Sequence, residues 1–140
     1  MSHENVEIVR KVIEAHERGD FATVFAAYDP QVEWNVTRTQ EDAMGGLDLE
    51  PVYYGRAGIR TFWRAWFAAW EQVSFEYQEF IDAGDKVVSV LSQRMRGRTS
   101  GLDLEWNSYA QVWTVYDGKI ARVEFFPTRG EALKAVGMAE

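Results

Sequence analysis

The run Ile59-Arg60-Thr61-Phe62-Trp63-Arg64-Ala65-Trp66-Phe67-Ala68-Ala69-Trp70 contains three of the chain's six tryptophans. At the helical period Ile59, Phe62, Trp63, Trp66, Phe67 and Trp70 fall on one apolar arc, with Arg60 and Arg64 at its edge and beyond. The spacing predicts an amphipathic helix that runs to about Glu71 and covers something wide and apolar. Aromatic rings bury much area but fill space coarsely. A small domain that groups them therefore either packs an aromatic core or walls an apolar cavity.

Upstream, Val6, Val9, Val12, Ile13 and His16 recur on one helical face, and Gly19 stops that helix. Asp20 starts a short second helix with Phe21, Val24, Phe25 and Tyr28 turned inward, and Asp29-Pro30 ends it. Val32 to Val36 reads as a strand. Thr37 to Val52 has no periodicity and is long for a connection, which suggests a lid over a pocket. Gly55 and Gly58 flank the entry to the aromatic helix.

Downstream the period changes to two. Strands are expected at Ser74–Asp82, Lys86–Arg98, 102–116 and 119–126, with turns at Ala83-Gly84-Asp85, Thr99-Ser100-Gly101 and Asp117-Gly118. The last of these is a strong type I′ hairpin signal. Arg129 to Val136 is a short terminal helix stopped by Gly137. Helices followed by a four-strand meander make one α+β domain spanning 1–140, with the helices gathered on one side of a curved sheet.

The chain of 140 residues is long enough to bury roughly two-thirds of its unfolded surface. It has no cysteine, which excludes a disulfide scaffold, a thiolate zinc site and a cysteine nucleophile. With 22 acidic and 15 basic residues its formal charge is −7, so nucleic acid is not an expected partner. No secretory signal or membrane span is read in it, and a cytoplasmic location is expected.

From Trp106 to Tyr116 the third meander strand carries no charge on either face. If helices cover only one face, the other should meet a second copy of the chain, which predicts a homodimer through the outer face of the sheet.

The order of motifs resembles the NTF2-like superfamily, and within it SnoaL-like proteins related to ketosteroid isomerases and polyketide cyclases. The resemblance covers nearly the whole chain. It is carried by Arg18-Gly19-Asp20, by Asp29-Pro30-Gln31-Val32-Glu33-Trp34, by Tyr54-Gly55-Arg56-Ala57-Gly58-Ile59 and by Trp113-Thr114-Val115-Tyr116-Asp117-Gly118-Lys119-Ile120. It implies a cone: a strongly curved antiparallel sheet wrapped around three N-terminal-half helices, open at one end to a mostly apolar pocket. Ketosteroid isomerases use a tyrosine and two acids at positions that match Val12, Trp34 and Gln111, and the SnoaL aspartate matches Phe125. Arg94 and Arg96 lack the flanking aspartates of limonene epoxide hydrolases. None of the catalytic sets that the resemblance implies is present.

His16 is the remaining candidate acid or base; its alternative role is a buried, neutral, hydrogen-bonded imidazole. Asn107, Tyr109 and Gln111 alternate onto one strand face and either orient a ligand oxygen or satisfy one another. Trp34, Trp63, Trp66 and Trp113 offer ring surfaces to a flat ligand or pack as core, and Val12, Val123 and Phe125 complete the expected lining. Tyr53 and Tyr54 stand at the mouth or anchor the loop, and Arg94, Arg96 and Arg98 form a basic edge or a solvated face. No metal spacing or phosphate loop is found, so no cofactor is expected. The expected function is binding of a small, mostly apolar, ring-containing molecule, with or without isomerase-, dehydratase- or cyclase-type proton transfer. The alternative is a non-catalytic binding or assembly module with a filled core.

Overall fold

The computed structural model describes residues 2–39 and 49–138. Helix α1 spans Ser2–Glu17, α2 Phe21–Ala27 and α3 Gly55–Ala69. Between α2 and α3 lie strands β1, Tyr28–Asn35, and β2, Val52–Tyr54; the meander follows as β3, Trp70–Ala83, β4, Lys86–Gly97, β5, Asp103–Tyr116, and β6, Lys119–Phe126, before α4, Arg129–Ala135. The six strands form one curved sheet in the order β2-β1-β6-β5-β4-β3. Every pairing is antiparallel except that of β1 with β6, which is parallel. The α+β cone read from the sequence is the observed class.

Local chemistry explains most boundaries. Asp20 caps α2, its carboxylate accepting from the Thr23 backbone N–H at 3.3 Å and the Thr23 hydroxyl at 2.7 Å. Asp117 and Gly118 have φ of 52° and 74°, the left-handed pair that a type I′ turn requires, directly between the paired Tyr116 and Lys119.

The aromatic arc does not remain helical to its end. Trp70 turns extended, with φ −124°, and pairs with Gly97 as the first residue of β3. Periodicity alone could not show this, because an aromatic ring suits a half-buried strand as well as a helix. Strand β2 begins at the last residue of the aperiodic stretch, Val52, and its three residues are too few to show a period. Residues 40–48 of the expected lid lie outside the described residues. Next to them Tyr53 is buried, and its hydroxyl accepts from the Glu50 backbone N–H at 2.9 Å, which is the loop-anchoring role.

Two apolar cores result. The larger lies inside the cone and includes Val9, Val12, Trp34, Ile59, Phe62, Trp66, Tyr109 and Trp113. The smaller lies on the outer face of the sheet, where Ala132 and Leu133 of α4 cover Val88, Val90, Ala110, Val112 and Phe126. On the outer face of β5 the chain's own terminal helix covers Ala110 and Val112, while Tyr116 stays 74% exposed. Helix α4 is fixed there by Thr128, whose hydroxyl accepts from the Glu131 N–H at 3.2 Å, and by Arg129, which donates two hydrogen bonds to the Glu79 carboxylate at 2.9 and 3.2 Å.

Leu133→Ala should cost about 2–4 kcal/mol in urea unfolding, because a buried leucine leaves a cavity that relaxes only partly. Both sides of the contact belong to one chain, so the loss should be the same across a wide range of protein concentration. A loss that shrinks as concentration rises would point to a partner subunit on this face instead.

Candidate functional site

The concave face of β5 supplies the floor of an internal cavity. Tyr109, Gln111 and Trp113 alternate inward, and neighbouring strands add Gln93, Phe125, Phe75 and Tyr77. Helix α1 contributes Val12, Ile13, His16 and Glu17, and α3 contributes Phe62, Trp63 and Trp66. Tyr28 and Trp34 enter from β1. The volume open to the centre of a water-sized sphere is about 40 Å³. That is room for roughly three waters.

Rings dominate the walls. Trp34 is 1% exposed and packs against Phe125, Phe62 and Trp63 at ring-centre distances of 5.1, 5.4 and 5.8 Å. Trp106 stacks on Tyr109 at 3.4 Å and 5°.

Polar groups are few and mostly directed. Trp113 Nε1 donates to Ser89 Oγ at 2.9 Å, and Ser89 in turn donates to Gln111 Oε1 at 2.8 Å. An indole N–H can only donate, so this relay orients the Gln111 amide with its oxygen toward Ser89 and its NH₂ free. The Tyr77 hydroxyl adds a longer donation to the same oxygen at 3.4 Å. Tyr109 is committed elsewhere, donating to Gln93 Oε1 at 3.1 Å. Burial pushes the hydroxyls of Tyr28, Tyr77 and Tyr109 far above the ordinary tyrosine range, so all three stay protonated.

His16 is half-buried among rings: Trp63 at 5.1 Å, Phe21 at 5.5 Å and Phe75 at 6.3 Å. Its Nε2 has no hydrogen-bond partner, and burial lowers its pKa from 6.5. The imidazole is therefore neutral at pH 7 and suited to accept a proton rather than supply one. The hydrogen bond that the alternative role of a buried, neutral imidazole would supply is not present at Nε2.

Of the residues singled out in the sequence, Val12, His16, Trp34, Trp63, Trp66, Tyr109, Gln111, Trp113 and Phe125 come together on this cavity. Three do not. Tyr54 is 67% exposed at the end of β2. Val123 is buried in the inner core, opposite Trp113, but is not part of the lining. Asn107 is exposed because β5 is bulged: β4 pairs Leu91 with Tyr109 but Gln93 with Trp106, and Ser108 has φ 51°. The extra residue turns Trp106, not Asn107, to the cavity side.

Trp106, Tyr28, Tyr77, Gln93 and Ser89 were missed. The alternation Val87-Ser89-Leu91 carried a signal for Ser89, a small polar residue in an apolar series, whereas nothing in the sequence announced the bulge. The basic edge proves to be paired: Arg94 with Glu105 at 3.2 Å, Arg96 with Asp103 at 2.8 Å and Arg98 with Glu71 at 3.4 Å. Among the described residues no group of three acid, histidine or cysteine side chains is placed to hold a metal, and no helix is long and apolar enough to cross a membrane.

Comparison with known proteins bears on this geometry. The family model of the SnoaL-like domain matches residues 9–123. An NTF2-like protein from Burkholderia thailandensis is 30% identical, with 86% of this chain and 88% of that chain covered and a TM-score of 0.74. An NTF2-like protein of unknown function from Burkholderia pseudomallei is 23% identical over 95% of this chain and 97% of that chain, at TM-score 0.75. A protein from Mesorhizobium loti described as a SnoaL-like polyketide cyclase is 21% identical over 86% and 96%, at TM-score 0.63. The last two likenesses show the fold alone. No curated protein matches the chain.

The depressed pKa of His16 has a signed consequence. As pH falls below 6.5 the unfolded chain takes up a proton that the folded chain refuses, so stability declines until the folded-state pKa is passed. The carboxylates of Asp20, Glu79 and Asp103 are held low by hydrogen bonds from Thr23, Arg129 and Arg96, and their contribution is lost only at more acid pH. His16→Leu should flatten the slope of unfolding free energy between about pH 6.5 and pH 5 and leave the acid limb in place. An unchanged upper slope would assign that titration to another group.

Proposed function

The chain belongs to the SnoaL-like domain family, and on that premise we propose that it binds a small, mostly apolar, ring-containing molecule inside the cone. One observation carries this reading. The four positions that the resemblance matches to catalytic residues, Val12, Trp34, Gln111 and Phe125, line one aromatic cavity although none of them is an acid. Apart from the exposed Glu17 the lining carries no acidic or basic chain other than the neutral His16, and such a ring-lined space selects an apolar, ring-containing body, since a buried charge without a partner is costly.

Where turnover accompanies binding, the groups fit proton transfer next to a carbonyl. Neutral His16 accepts a proton from the carbon, and the bonding pair moves onto the carbonyl oxygen. The free Gln111 NH₂ and the Tyr28 hydroxyl donate hydrogen bonds to that oxygen, and His16 returns the proton at another carbon. This scheme needs no metal or organic cofactor.

The volume of about 40 Å³ favours the rival reading, a filled core that serves binding or assembly elsewhere. A ring-containing occupant requires side chains to move apart. The two readings separate by titrating enones, steroids and polyketide-like phenols against the quenching of tryptophan fluorescence, with Val12→Phe as the filled-cavity control. A saturable response that Val12→Phe weakens by about tenfold or more supports the cavity. No response from any compound, or equal binding by Val12→Phe, defeats it. For any compound turned over, His16→Ala should lower kcat by about a hundredfold or more with KM little changed, and an unaltered kcat removes His16 from the chemistry.

A further inference from the structure

Behind His16 and Trp63 lies a second, open space of about 550 Å³ between α2 and α3, on the same measure as the inner cavity. Its walls include Phe21, Val24, Phe25, Ile59 and Phe67, with Arg60 and Arg64 among them. His16 and Trp63 line both spaces, so this pair of rings is the partition between groove and cavity. From these observations we infer that groove and cavity form one binding site for an amphipathic anion, an aromatic or other apolar body carrying a single acidic group, with the body passing between His16 and Trp63 and the acid held by Arg60 and Arg64. The inference rests on the proposal that the cavity takes an apolar molecule, and it names the class of that molecule.

Size is the first argument. The cavity alone holds roughly three waters, while the groove beside it has more than ten times that volume. An occupant larger than a few atoms must use both.

The partition is also soft. Trp63 is only half-buried, and it is held by ring contacts: His16 at 5.1 Å, Phe67 at 5.4 Å and Trp34 at 5.8 Å. His16 Nε2 has no partner to lose. Separating the two rings forfeits dispersion contacts, which an incoming apolar body replaces. The outer flank is already apolar and open to solvent, Phe21 being 49% and Phe67 37% exposed.

Charge is the third argument. In a chain of net charge −7, Arg18, Arg38, Arg94, Arg96, Arg98, Arg122 and Arg129 all meet carboxylates. Arg10, Arg56, Arg60 and Arg64 form no ion pair among the described residues, and of these four Arg60 and Arg64 stand on this groove. The Arg60 guanidinium is held 4.5 Å above the Phe25 ring, which keeps its hydrogen-bond donors available. Two unpaired cations beside an apolar groove complement one carboxylate or sulfonate attached to an apolar body.

Two dyes that share a ring system test this, 1-anilinonaphthalene-8-sulfonate and the uncharged N-phenyl-1-naphthylamine, each titrated into the full chain and followed by its own fluorescence. The parent should bind the sulfonate more tightly than the neutral dye. The double variant Arg60→Gln/Arg64→Gln should weaken the sulfonate by about tenfold and change the neutral dye by no more than about twofold, so the neutral dye also reports that the variant is folded. Ala68→Trp, which fills the groove from α3, should weaken both dyes. Equal effects of the double variant on the two dyes, or unchanged binding in Ala68→Trp, overturn the inference while leaving the cavity reading in place if Val12→Phe still blocks the neutral dye. Failure of the parent to bind either dye overturns both.

Discussion

The packing of one indole organises this molecule. Trp34 sits on β1, the strand that joins the meander in parallel beside β6, and its ring meets Tyr28, Phe62, Trp63 and Phe125 at 5.1 to 6.4 Å. Through it the aromatic helix, the first strand and the last strand share one contact. A tryptophan 1% exposed contributes about 3–5 kcal/mol when truncation is the measure, a large fraction of a small domain's stability.

Packing of this kind has a polar cost. His16 Nε2, Trp34 Nε1 and Trp66 Nε1 are buried without partners, and all three residues line the cavity. Other polar groups of the same core are paired: Trp113 donates to Ser89, Ser89 to the Gln111 amide oxygen and Tyr109 to Gln93. An unsatisfied buried donor costs about 1–3 kcal/mol, so the cluster around the cavity is where an acceptor oxygen would return the most free energy. Trp70 Nε1 is also unpartnered but does not line the cavity, which shows that aromatic crowding alone produces part of this pattern.

Legibility followed periodicity. The helices, the four meander strands and the Asp117-Gly118 turn each carry their own local signal, so they were readable before any coordinates. The inward set Tyr109, Gln111 and Trp113 was readable for the same reason, since two-residue alternation holds from the last turn back to the bulge. Beyond Ser108 it fails, and Asn107 and Trp106 exchange roles because one inserted residue reverses every side chain that follows it. Coverage of the outer face carries no such signal: the seven residues of α4 pack over Ala110 and Val112, and a helix so short gives no pattern that reveals which sheet face it will occupy. Tyr28 was read as the inner side of a helix and is the first residue of a strand, yet its burial was the same in either element.

The neutrality of the cone constrains what it can do more tightly than its shape does. Burial keeps His16 unprotonated and the hydroxyls of Tyr28, Tyr77 and Tyr109 protonated, so none of these groups carries charge at pH 7. An acidic occupant in such a space would meet dipoles, rings and the Glu17 carboxylate but no cation, and its desolvation would go uncompensated. Negative charge on a ligand must therefore stay outside the His16–Trp63 partition, where Arg60 and Arg64 stand without an ion pair among the described residues. Interior chemistry and exterior charge thus impose one geometry from opposite sides: an apolar body within the cone and any acidic group on the flank of the aromatic helix.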